Sequence, residues 1–169
     1  ALVGSTLSED IENSVKLEGG GIGDFTKTPS GLRYLDLVAG KGEECCADGA
    51  SVVADWSLRR SNGYFVDASR GFDESRGIDE RFGIGQTPEL RFVPQGKGSG
   101  DSKVLAGIRE AVQGMRVGGT RRLIIPPKLG YTSDDLQPMP EDWGRKRQIQ
   151  RFRGREDFVV EIRLKRIGQ

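Results

Sequence analysis

Residues 103–127 read KVLAGIREAVQGMRVGGTRRLIIPP, and they decide the fold. Leu105, Ile108, Val112 and Met115 recur at spacings of three and four, which lays them on one face of a helix. Asp101 or Ser102 is placed to cap its start. Gly114 sits near the helix end, and Gly118-Gly119 supply a tight turn. Leu123-Ile124-Ile125 then reads as a short buried strand, closed by Pro126-Pro127, which lack the N–H a ladder needs. The segments on either side read as strands arranged to cover this helix.

Upstream, Leu32–Val38 and the valine-rich Ser51–Leu58 are strand candidates. Asn62-Gly63 marks a turn, Tyr64–Ala68 continues extended, and Leu90–Val93 is another short strand. Residues 69–89 are charged and glycine-rich, hence a loop. Downstream, Phe158, Val160, Ile162 and Leu164 alternate with Glu161, Arg163 and Lys165, the pattern of a strand with one wet face. The fold class is therefore α+β: an antiparallel, curved sheet of about five strands wrapped around one α-helix. Between Pro127 and Glu156 no periodicity stands out, and residues 141–156 read as a basic loop insert. Its stretch Arg145–Arg155 (RKRQIQRFRGR) holds six positive charges and no negative one. A loop that long in a compact domain is usually functional.

Residues 1–27 form a separate extension, and the domain proper spans 28–169. Thr6 with Glu9 fits a capping box, and Leu7, Ile11 and Val15 share a face, so a short helix is expected over 7–18. This helical arm is either a loosely attached extension or a docking segment whose apolar stripe covers a partner or the domain itself. The chain opens on Ala1 rather than Met, which fits a leader already removed.

Composition excludes much. A chain of 169 residues suits one domain with a real core. Net charge is +1, so no global field argues for nucleic acid. No apolar run approaches the ~20 residues that span a bilayer as a helix. There is no histidine, which removes histidine triads and HExxH zinc sites together. The glycines of GGGIGDF (19–25) lack phosphate-loop spacing. No cofactor and no metal is expected. The two cysteines, Cys45 and Cys46, are neighbours and are either loop thiols or a vicinal disulfide.

Four stretches carry a resemblance: TPSGLRYLDLVAGKG (28–42), VVADW…GYFVDAS (52–69), KVLAGIREAVQGMRVGGTRRLIIPPKLGY (103–131) and FVVEIRLKRI (158–167). Together they resemble the FKBP-type peptidyl-prolyl cis-trans isomerases, and the TPSGL opening with its preceding arm is similar to the thylakoid-lumen FKBP proteins of plants and algae. The resemblance implies a chloroplast thylakoid-lumen location and a pocket that holds a prolyl ring among aromatic side chains. Carried over by position, the tyrosine of that pocket falls at Asp55, its phenylalanines at Val66, Leu90 and Val160, and its floor tryptophan at Ile108. Val104 and Leu105 match the step before the floor residue, Asp67 matches the family's Asp, and Tyr131 matches the tyrosine that holds a substrate carbonyl. A one-residue shift would bring Trp56 or Phe65 into the wall instead.

Rotation about an X–Pro bond needs no nucleophile or metal. The barrier is amide resonance, and an enzyme helps by binding the twisted amide better than either planar form. A dry apolar pocket and a hydroxyl on the neighbouring carbonyl suffice. Each pocket aromatic offers on the order of 150–250 Å² of contact. Replacing several by Val, Leu, Ile and Asp predicts weak or absent isomerase activity. The expected role is then a scaffold or assembly subunit of a photosynthetic membrane complex, the alternative an active isomerase and folding helper. Arg145, Lys146, Arg147, Arg151, Phe152, Arg153 and Arg155 are the candidate partner-binding residues, facing an acidic protein surface or anionic lipid.

Overall fold

The computed structural model describes residues 25–46, 49–72, 87–95 and 103–168. The expected arm helix over 7–18, Asp101 and Ser102 lie outside those residues. Seven strands form where about five are expected: β1 (Thr26–Lys27), β2 (Arg33–Val38), β3 (Ser51–Arg60), β4 (Phe65–Ala68), β5 (Leu90–Phe92), β6 (Thr120–Ile125) and β7 (Phe158–Gly168). They make one antiparallel sheet in the order β1-β2-β6-β7-β3-β4, and β5 also pairs with β3. The long strand β3 lies against β7 along its length, while its other edge takes β5 at Val52–Ala54 and β4 at Ser57–Arg59.

Alternation decides the faces. Val52, Ala54, Trp56 and Leu58 of β3 join Phe158, Val160, Ile162 and Leu164 of β7 in one buried cluster. Helix α1 (Ala106–Ala111) packs on this face, with Leu105, Ile108, Val112 and Met115 all buried as their spacing predicts. Gly107 permits the approach: a Cβ there would meet the Ile125 side chain at 2.9 Å. Arg121 ties the helix end to the sheet, donating to the Ala111 carbonyl (2.7 Å) and to Asp36 (2.7 Å), so carbonyls left free by the helix are satisfied. Gly118, at φ +88°, makes the expected turn into β6.

Two expectations need correction. Helix α1 is shorter than its apolar stripe, because Leu105 takes the N-cap position without a side-chain cap and the chain tightens into turns after Ala111. The basic insert is not a loop: Trp143–Phe152 forms a second helix, α2. Asp142 caps it by accepting from the Arg145 backbone N–H (3.0 Å), and Ile149, fully buried, anchors it. The Cys45 and Cys46 side chains meet, and the Cys45–Cys46 and Gln137–Pro138 peptide bonds are cis. No helix among the described residues is long and apolar enough to cross a membrane.

Candidate functional site

Seven of the residues picked from the sequence come together beneath α1. Val66, Leu90, Val104, Leu105, Ile108, Tyr131 and Val160 all belong to the same buried cluster. Asp67 is fully buried on β4, where its carboxylate accepts from the Ala68 N–H (2.9 Å) and the Thr87 hydroxyl (2.8 Å). Tyr131 follows the short 3-10 turn Pro127–Leu129 and stands edge-on to Phe158, ring centroids 5.3 Å apart. Burial pushes the Tyr131 hydroxyl far above its ordinary ionisation range, and the Asp67 carboxylate adds to the shift.

Asp55 is the residue that does not join. The inward set on β3 is even-numbered, so Asp55 lies outside the cluster and Trp56 lies within it. The Asp55 carboxylate accepts from Ser69 (3.0 Å) and sits 3.6 Å from the Lys165 ammonium. With Arg70, Gly71, Pro88, Glu89 and Lys165 it lines a separate open cleft of about 410 Å³. Lys165 bonds Glu89 at 2.9 Å; this bond raises the lysine's pKa and lowers the glutamate's.

Trp56 is therefore the aromatic that fills the interior at this register. It is fully buried, and its indole N–H donates to the Pro88 carbonyl (3.1 Å). Phe65 stays half-buried, with the Arg59 guanidinium 5.2 Å from its ring centroid. Phe92 and Met139 also belong to the cluster and were not singled out from the sequence, whereas Phe158, read as an inward residue of the last strand, joins it as expected. The apolar step Val52-Ala54-Trp56-Leu58, read with period two, is the signal that places Trp56.

The Tyr131 hydroxyl and the Leu105 N–H are both occupied by the protein's own chain. The Tyr131 hydroxyl donates to the Pro138 carbonyl. The Leu105 N–H donates to the Gln137 carbonyl at 3.0 Å.

The basic residues sort into two sets. Phe152 turns inward, half-buried against the core, with the Arg60 guanidinium 3.5 Å above its ring. Arg153 reaches Asp134 at 3.4 Å. Arg145 and Lys146 are half-buried, while Arg147, Arg151 and Arg155 are exposed. Spaced by four on α2, Arg147 and Arg151 continue a line from Trp143, which is 69% exposed and carries the Arg147 guanidinium 4.7 Å from its ring, and Arg155 lies just past the helix end. Phe152 thus packs against the core, and Trp143 is the exposed aromatic of α2.

Residues 42–143 match the family described as FKBP-type peptidyl-prolyl cis-trans isomerase. The chain belongs to the FKBP family. It is similar to peptidyl-prolyl cis-trans isomerase FKBP16-1, chloroplastic, of Arabidopsis thaliana, with 33% identity over 141 residues, 83% of this chain and 60% of that protein. It is also similar to photosynthetic NDH subunit of lumenal location 4, chloroplastic, of Arabidopsis thaliana, with 34% identity over 108 residues, 64% of this chain and 43% of that protein. Among solved structures it resembles FkpA from Escherichia coli, with a TM-score of 0.54 and 21% identity over 98% of this chain and 60% of that one; at this identity the likeness shows the fold alone. The chain spans between 45% and 60% of the length of the four curated Arabidopsis isomerases it matches.

Proposed function

We propose that this FKBP domain is a scaffold or assembly subunit of a photosynthetic membrane complex in the chloroplast thylakoid lumen, with weak or absent isomerase activity. The observation that carries the reading is the state of the Tyr131 hydroxyl: it is buried and already bonded to the protein's own Pro138 carbonyl. An isomerase of this family acts by shape and by a hydroxyl offered to a substrate carbonyl. A donor already bonded within the chain offers nothing until that bond breaks.

Helix α2 is the docking element in this reading. Arg147, Arg151, Arg155 and Trp143 present solvated charge beside an exposed aromatic, the composition that binds an acidic protein surface. The lumenal NDH subunit among the relatives supports a partner of this class, and the relatives named chloroplastic support the compartment.

A second reading, a working prolyl isomerase, is favoured by Trp56, which restores one aromatic to the interior beside the retained Asp67 and Tyr131. A coupled assay on Ala-X-Pro-Phe peptides, scanned over X, separates the two. The scaffold reading expects rates within about twofold of the uncatalysed reaction. Turnover well above that, removed by Tyr131→Phe with Ile108→Lys, establishes the isomerase instead. For docking, recovery of thylakoid complexes on immobilised protein is compared with the Arg147→Glu, Arg151→Glu, Arg155→Glu variant. Equal recovery rules out α2 as the docking element.

A further inference from the structure

The segment between Tyr131 and α2 occupies an unusual place. Gln137 runs parallel to Val104 as an isolated bridge outside the sheet, its N–H donating to the Lys103 carbonyl and its carbonyl accepting from the Leu105 N–H at 3.0 Å. One residue later the Pro138 carbonyl accepts from the Tyr131 hydroxyl. Consecutive carbonyls of one extended segment thus take the Leu105 N–H and the Tyr131 hydroxyl. Pro138, Met139 and Pro140 are buried, and Met139 belongs to the core cluster that contains Ile108 and Tyr131. The segment is also braced internally, because the Met139 N–H donates to the Gln137 side-chain carbonyl at 3.0 Å. Nothing in sheet construction asks for this: the chain could pass from Tyr131 to α2 over the surface, as most connections do.

We propose that residues 136–140 (Leu-Gln-Pro-Met-Pro) are an internal strap that sits in the domain's own prolyl-peptide site and holds it closed. The arrangement is that of a short peptide strand laid along a receptor edge, with main-chain bonds setting register and one apolar side chain seated in the interior. The ligand class the site takes when the strap leaves is an extended, proline-containing peptide that offers two successive carbonyls to the Leu105 N–H and the Tyr131 hydroxyl. A peptide must compete with a strap that is covalently tethered and already in place, so its apparent affinity falls by the fraction of molecules in which the strap is open. The inference rests on the closed-site part of the function proposed above and is independent of docking by α2.

The test is binding and turnover of an Ala-Leu-Pro-Phe peptide by wild-type protein and by the double variant Gln137→Gly, Met139→Gly. That variant removes the brace and the seated side chain but leaves Leu105, Ile108 and Tyr131 in place. The expected result is peptide affinity or turnover raised at least about tenfold over wild type, and reversed by adding Tyr131→Phe. A folded double variant that binds no better than wild type overturns the strap and leaves the scaffold reading standing. Fast turnover by the wild-type protein overturns both. A gain in the variant with no docking by α2 supports the strap and removes the docking element. If the variant does not fold, amide exchange in the wild-type protein decides. A Leu105 amide that exchanges at least about tenfold faster than the amides of β7 supports a strap that opens on its own. Exchange of Leu105 in step with β7 overturns it.

Discussion

The interior beneath α1 and the outer face of α2 are built from opposite materials. Under α1 every buried side-chain polar atom among the described residues has a partner within the protein. Tyr131 bonds Pro138, the Trp56 indole bonds Pro88, and Asp67 bonds Thr87 and its own neighbour's N–H. On α2 and just past its end, the side chains of Arg147, Arg151 and Arg155 stand in solvent, Arg147 beside Trp143. A group satisfied internally binds a ligand only by giving up what it holds, and the exchange leaves little net gain. A solvated cation gives up water alone, and its attraction reaches a partner before contact, weakening as salt is added. In the function proposed above, the domain closes the place where its family does chemistry and offers the outer face of α2 to a partner instead.

The largest effect separating the two regions comes from Trp56→Ala. Trp56 is fully buried at the centre of the cluster, so truncation leaves a cavity that the surrounding strands cannot collapse to fill. The expected loss is about 3–5 kcal/mol in urea denaturation, with the α2 surface unaffected in any variant that still folds. A loss below about 1 kcal/mol would mean that the interior is a hollow the side chain merely lines, and the contrast drawn above would fail.

The closed interior also has a signature in alkali. The Tyr131 hydroxyl is held above its ordinary value of about 10 by burial first and by Asp67 second. The folded state therefore keeps this proton after the unfolded chain has lost it. Because the folded state then binds more protons, stability from this group is full below pH 10 and falls as pH rises above it, by up to about 1.4 kcal/mol per pH unit. Denaturation midpoints of wild type and Tyr131→Phe, measured between pH 8.5 and 11, should converge as pH rises. Parallel curves would place the hydroxyl in water and break the comparison at its central residue.

Sequence reading reached the sheet and α1 because their signals are periodic and local. The stripe Leu105, Ile108, Val112, Met115 and the alternation Phe158, Val160, Ile162, Leu164 both end up buried as spaced. It lost the register at residue 55. Aligning VVADW by family resemblance put Asp55 in the pocket, whereas the apolar step of two from Val52 to Leu58 puts Trp56 in the cluster; both residues are buried, and Asp55 lies on the opposite face beside Lys165. It missed α2 because this helix carries apolar residues only at Trp143, Ile149 and Phe152, too few to draw a stripe among its cations. Asp142 was the readable cue: a capping residue ahead of ten residues without proline. The strap was out of reach, because a surface connection and a segment seated in a core have the same composition. Only the partners of Gln137 and Pro138 tell them apart.

The smallest expected effect on stability carries the sharpest information about α2. Asp142 is exposed and contributes one bond, from the Arg145 backbone N–H at 3.0 Å. Asp142→Ala should cost about 1 kcal/mol or less, since such caps are worth about 0.5–2 kcal/mol and the far end of this helix stays held. Ile149 remains buried, and Arg60 still lies over Phe152 while its N–H edge donates to Glu156 at 3.1 Å. What frays is the first turn, and with it the positions of Trp143 and Arg147. Amide exchange at Arg145 and Lys146 should quicken while that of Arg153, bonded to the Ile149 carbonyl, does not change. If Trp143 and Arg147 form one contact surface with Arg151 and Arg155, recovery of thylakoid complexes should fall further in Asp142→Ala than its stability loss explains. Recovery unchanged beside a frayed first turn would confine the docking surface to Arg151 and Arg155, at the end of the helix that Phe152 pins to the sheet.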